Sequence, residues 1–142
     1  LPVIAFDPAG RNICALHAGW RGTRERITQK GVARFLEATG VSADQIVVAF
    51  GPSIRRCCYE VGPEVMEQFR TGGHNMDAIL SGRHLDIVAA NRLQLEALGV
   101  SQVLDSGICT ACRNDLFYSY RREGETGRLW ALAGFRRRQD KQ

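Results

Sequence analysis

Three segments carry side chains able to do chemistry. The first is His17-Ala18-Gly19-Trp20-Arg21-Gly22, where an apolar run opens into a glycine-bracketed turn. An imidazole at a strand end can face a cleft and ligate a metal, or exchange protons near neutral pH. Gly19 and Gly22 would let backbone approach a ligand, Trp20 offers a flat apolar wall, and Arg21 offers planar donors for phosphate or carboxylate. A core histidine with a packed tryptophan in a tight turn fits the same residues.

The second segment is Gly51-Pro52-Ser53-Ile54-Arg55-Arg56-Cys57-Cys58-Tyr59-Glu60-Val61. A thiol here becomes a nucleophile if a base or cation lowers its pKa. Placed on a strand, the adjacent cysteines point to opposite faces, so one at most would see a given site; buried structural cysteine is the plainer reading. The third runs from Cys109-Thr110-Ala111-Cys112 to Tyr118-Ser119-Tyr120-Arg121-Arg122. A C-x-x-C is half a zinc site or a redox pair, yet no second C-x-x-C and no thioredoxin-like context accompanies it. The hydroxyls, rings and guanidinium groups that follow could hold a nucleoside by stacking and a phosphate by paired hydrogen bonds, and an alternating half-buried strand looks much the same. Asp86 reads as a helix-terminal charge and His74 as a solvent-exposed loop residue.

These segments need elements to position them. Val3–Phe6 and Asn12–His17 flank Asp7-Pro8-Ala9-Gly10, which predicts a hairpin. Ile27, Val32, Phe35 and Leu36 recur at helical spacing until Gly40, so an amphipathic helix is expected there. Gln45–Phe50 reads as a buried strand, Tyr59–Val61 as a further strand, and Pro63 as the start of a short helix. A longer helix runs from Asp86 to Gly99, and Val103–Ile108 and Leu129–Phe135 are expected as the last strands. Strands alternate with helices and no repeat appears. The fold class is therefore α/β, or mixed α+β, with mixed sheets flanked by helices in a single domain over residues 1–142.

With 142 residues, 44% of them hydrophobic, the chain can bury one real core. The net charge of +4 is concentrated at Arg55-Arg56 and at Arg136-Arg137-Arg138 with Lys141. No aromatic residues are interleaved with these charges and no nucleic-acid-binding signature is present, so nucleic acid is not an expected partner. No apolar run suits a membrane span, and five cysteines, an odd number, do not make a secreted disulfide framework; a cytoplasmic protein is expected.

The order and spacing of these motifs, with Asp86, Asn91 and Gln94 of the long helix and Thr126-Gly127-Arg128, resemble the YfiH-type laccase-domain family over nearly the whole chain. The resemblance implies a zinc-dependent purine nucleoside enzyme, once described as a polyphenol oxidase. Its reactions would be phosphorolysis of adenosine, inosine or methylthioadenosine, and deamination of adenosine by a zinc-activated water. The family site takes two histidines and a cysteine. Only His17 has a counterpart here, and the other two would lie upstream, which implies the C-terminal portion of a longer chain and, with one imidazole, weak zinc binding. Trp20, Arg21, Gly51, Tyr59, Tyr118, Ser119 and Arg121 are the expected substrate side, with purine nucleoside and phosphate as partners. Copper is the less expected metal, because three scattered histidines do not make a multicopper site. A thiol-dependent hydrolase using Cys57 or Cys58, and a non-catalytic interaction module, are the competing readings.

Overall fold

The computed structural model describes residues 1–136; Arg137, Arg138 and Lys141 of the basic tail lie outside the described residues. The chain opens with the expected hairpin. Strand β1, Pro2–Asp7, pairs antiparallel with β2, Asn12–His17, so that Pro2 lies opposite His17. The Asp7 carboxylate makes the turn by accepting from the Ala9 and Gly10 amides, both at 2.9 Å.

Strand β3, Val47–Phe50, pairs antiparallel with β1, and β6, Gln102–Asp105, lies parallel to β3, giving the mixed order β2-β1-β3-β6. Alternation divides the faces. Val3, Ala5, Val48 and Phe50 are buried on one face, while Ile4, Phe6, Val47 and Ala49 on the other stay half-buried. Two helices accompany the sheet: α2, Ile27–Thr39, packs on β2 and also against α5, Ile87–Glu96. Gly31 permits the first contact, since a Cβ there would stand 2.6 Å from Leu16 Cδ1. Helix α2 ends where Gly40 takes a left-handed φ of 70°.

A short helix α1, Trp20–Arg24, lies between β2 and α2 and is anchored by a buried polar network. Asn91 of α5 donates to Thr23 Oγ1 at 2.9 Å and accepts from Thr28 Oγ1 at 2.6 Å, and Gln94 donates to the Thr23 carbonyl at 2.9 Å. Asp86 caps α5 by accepting from the Ala89 amide at 2.9 Å, in keeping with its helix-terminal reading. The remaining elements are short: α3 (Pro63–Thr71), α4 (Met76–Ile79), the pair β4 (Leu80–Ser81) and β5 (His84–Leu85), and α6 (Tyr120–Glu123).

Several expectations are corrected. Residues 59–61 form no strand; Glu60 makes a single bridge to His84. The strand expected from Gln45 begins at Val47, after a 3-10 turn over Ala43–Gln45, and that expected to Ile108 stops at Asp105. Leu129–Phe135 has no regular structure, with Trp130 and Leu132 each 86% exposed; a strand needs a neighbour to pair with, and an apolar run alone does not supply one. His74 is half-buried rather than exposed. Its ring lies 4.9 Å from Phe69, and its Nε2 donates to the Arg24 carbonyl at 2.9 Å.

Candidate functional site

The first cluster forms at one end of the sheet. His17 is the last residue of β2, on the half-open face, with an exposed side chain that makes no hydrogen bond among the described residues. Burial lowers the pKa of its imidazole. The ring folds toward Gly19, where a Cβ would come within 3.3 Å of Nε2. Gly51 reaches the same end from β3: its amide donates to the Pro2 carbonyl at 3.1 Å, and Pro2 is the register partner of His17. Helix α1 adds Trp20 and Arg21, whose guanidinium stacks 4.6 Å from the indole ring. Four expected residues, His17, Trp20, Arg21 and Gly51, thus lie on the segments that leave β2 and β3 at one end of the sheet.

A second cluster joins Tyr59 to the segment before and within α6. Arg121 stacks 5.1 Å over the Tyr59 ring and donates to the Glu60 carbonyl. Tyr59 is only 8% exposed and belongs to the core, which leaves Tyr118, 54% exposed, as the ring free to meet a planar ligand. Gly127 lies against the Tyr118 ring, where a Cβ would be 2.6 Å from Cε2. Ser119 is buried, and its amide donates to Glu123 Oε2 at 3.0 Å. The segment is a helical turn, not the alternating strand that its composition also allowed.

The third cluster was not anticipated. Cys57, Cys58, Cys109 and Cys112 bring their sulfurs within 4.8 Å of one another, close enough to hold a metal ion. Residues 56–58 form a turn rather than a strand, with the Cys58 and Tyr59 amides both donating to the Arg55 carbonyl at 2.9 Å. Adjacent cysteines therefore reach the same place. The usable signal was the total of four thiols in two close pairs; reading each pair alone hid it.

Ionisation within this cluster is uneven. Cys109 is disfavoured as thiolate by burial, but amide donors from Cys112, Arg55 and Ala111 outweigh that and bring it down to about 7. Cys57 is pushed up to about 12 by desolvation, then by its hydrogen bonds to Cys112, Cys109 and Cys58, and Cys58 is raised as well, by Cys112 first. Both shifts run opposite to what a nucleophilic thiol needs. An open cleft of about 820 Å³ adjoins the cluster, with Cys57 and Cys109 in its wall beside Arg55, Arg56, Arg92 and His84. None of the expected substrate residues lines it.

His17 does not belong to any group of three or more metal-ligating side chains among the described residues; the cysteines do. One imidazole does not hold zinc by itself, so the expected metal at His17 is not supplied by these residues. The expectation of weak metal binding counted imidazoles and left out the four thiols. The histidines do not converge on a copper centre either.

The sequence profile of a family described as multi-copper polyphenol oxidoreductase laccase matches residues 1–136. The chain belongs to this laccase-domain family. Among its relatives, a purine nucleoside phosphorylase of Deinococcus radiodurans is 43% identical over 97% of this chain and 54% of its own length. An adenosine deaminase, RL5, from an unknown prokaryotic organism is 38% identical over 87% of this chain and 50% of its own length. The crystal structure of the Bacillus licheniformis protein YfiH superimposes with a TM-score of 0.77 at 31% identity, covering 85% of this chain and 48% of that one. The chain spans about half the length of the curated relatives it matches. The mixed α/β fold expected from sequence is thus that of YfiH-family structures. No helix among the described residues is long and apolar enough to cross a membrane.

Proposed function

We propose that these residues form the His17-bearing part of a zinc-dependent purine nucleoside enzyme, cytoplasmic and acting by phosphorolysis of adenosine, inosine or methylthioadenosine and by deamination of adenosine. The observation that carries the reading is the open sheet end, where an imidazole with no hydrogen bond among the described residues shares its end of the sheet with Trp20, Arg21 and Gly51. The names of relatives 38 to 43% identical point the same way.

In phosphorolysis the attacking phosphate carries its own charge, so the protein's task is to hold it at the ribose carbon and exclude water as the base leaves. Arg21 and Arg121 are the cations assigned to that anion, each with its guanidinium over an aromatic ring. Tyr118 offers its ring to the purine, and the Ser119 hydroxyl is the polar group beside it. Gly51 gives the ribose a wall without a side chain. His17 provides one zinc ligand, and the rest of that ligand set is not among the described residues.

The test is phosphorolysis and deamination of purine nucleosides by the purified whole protein, followed by chromatography of free base and inosine. Replacing both Arg21 and Arg121 by alanine is expected to raise the KM for phosphate at least about tenfold, the loss of one charge-assisted bond or more. A double variant with unchanged phosphate affinity would remove both arginines from the site. Full activity in a His17→Ala variant would remove the imidazole.

A further inference from the structure

We propose that Cys57, Cys58, Cys109 and Cys112 form a four-thiolate site for a zinc-type divalent ion, separate from His17, that staples the 51–61 turn to the 109–123 segment.

Geometry comes first. A tetrahedral ion with bonds of about 2.3 Å sets its sulfurs about 3.8 Å apart. Here Cys112 Sγ lies 3.4 Å from Cys58 and 3.6 Å from Cys57, and all four sulfurs fit within 4.8 Å. Adjustments below about 1 Å complete the tetrahedron. Soft thiolates also select zinc over magnesium or calcium.

The supporting frame is already built. Ser53 and Thr110 tie the two segments together, the Ser53 amide donating to the Ile108 carbonyl at 3.3 Å and the Thr110 amide to the Ser53 carbonyl at 3.1 Å. Arg55 reaches across to Asp105, with Nη1 donating to Oδ2 at 2.9 Å. The Arg113 amide closes the C-x-x-C turn on the Cys109 carbonyl at 3.0 Å. Cys109 is buried while Cys57 and Cys112 are exposed, so an ion has a floor and an entry path. Need is visible too. Beyond Ala111 the segment buries little apolar surface, with Leu116 61% and Tyr120 72% exposed, and short elements without a core are those that metals hold in place.

The test uses cobalt(II) as the probe on the purified, reduced protein. One cobalt is expected at the cluster in each chain, with the intense sulfur-to-cobalt charge-transfer and visible bands of a tetrahedral thiolate site, and zinc is expected to bleach them. The four-thiolate bands should persist in the His17→Ala variant, which separates this site from the proposed enzyme centre. Cys57→Ser and Cys112→Ser, both at exposed positions, should weaken binding by at least about tenfold, because even outer-shell changes cost that much. Thiol titration of the zinc-loaded protein should leave the four clustered cysteines unreactive, and chelation should expose four further reactive thiols. Absent thiolate bands, bands lost with His17, or a disulfide among the four in the protein as isolated would each overturn the proposal. A serine variant that loses its circular dichroism signal is replaced by the alkylation pattern, in which zinc must protect all four cysteines together.

Discussion

Replacing Asn91 by alanine tests whether the buried amide holds α1, and with it Trp20 and Arg21, against α5. Thr23, Thr28 and Asn91 are all 0% exposed, so no water can replace a lost partner. The substitution strands two hydroxyls, at about 1 to 2 kcal/mol each. The space left by the amide adds about 1 kcal/mol, and the better helix propensity of alanine returns roughly 0.5 kcal/mol. The net loss is about 3 kcal/mol, which urea denaturation should register as a midpoint lower by roughly 1 to 2 M. Thr28→Val supplies the internal control. In the wild type it leaves Asn91 Oδ1 unpaired and costs about 1 to 2 kcal/mol; beside Asn91→Ala it should cost close to nothing. A loss below about 1 kcal/mol for Asn91→Ala, or additivity of the two changes within about 0.5 kcal/mol, would refute the reasoning.

Asp105→Asn probes the tie between the cysteine-bearing turn and β6. The Arg55 guanidinium holds the Asp105 carboxyl below its ordinary range, so its stabilisation is complete above about pH 4 and is lost as pH falls through the depressed folded value. With the pair partly solvated, the variant is expected to lose about 1 kcal/mol at pH 7 and to converge with the wild type in acid; a gap that persists at low pH would deny the carboxylate this role. Gly31→Ala drives a Cβ to 2.6 Å from Leu16 Cδ1 and should destabilise by about 1 to 2 kcal/mol despite alanine's higher helix propensity. Combined with Leu16→Ala the same change should become neutral or stabilising by up to about 1 kcal/mol, and thermal melts that show no such reversal would contradict the close α2–β2 contact.

Elements with a local cause were legible in the sequence. Asp7-Pro8-Ala9-Gly10 makes its own turn, Gly40 stops α2, and Asp86 starts α5, because each signal acts within a few residues. Features whose cause lies elsewhere in the chain were not. The apolar run Leu129–Phe135 would be a strand only beside a pairing edge. His74 gains its partners from Phe69 and from Arg24, the latter 50 positions away. The cysteine tetrad failed for a sharper reason. Treating Cys57-Cys58 as strand sent the thiols to opposite faces, and a single turn reverses that conclusion, while the other pair stands 55 positions away.

The candidate centres differ in how much of their chemistry these residues can complete. At the sheet end His17 offers one ligand, and the buried Asn91 network ties α1, the helix that carries Arg21, to α5. At the thiol cluster four ligands are present, and what they position is chain rather than substrate. The two are linked through sequence: Cys58 immediately precedes Tyr59, and Cys112 leads into Tyr118, Ser119 and Arg121, whose guanidinium returns to Tyr59 and Glu60. An ion that fixes the cysteines therefore fixes the relative position of Tyr59 and Arg121, the pair that frames the Tyr118 side of the proposed pocket. Losing that ion should loosen the Tyr118–Arg121 segment and leave the His17 end, anchored by strand pairing and by Asn91, where it is.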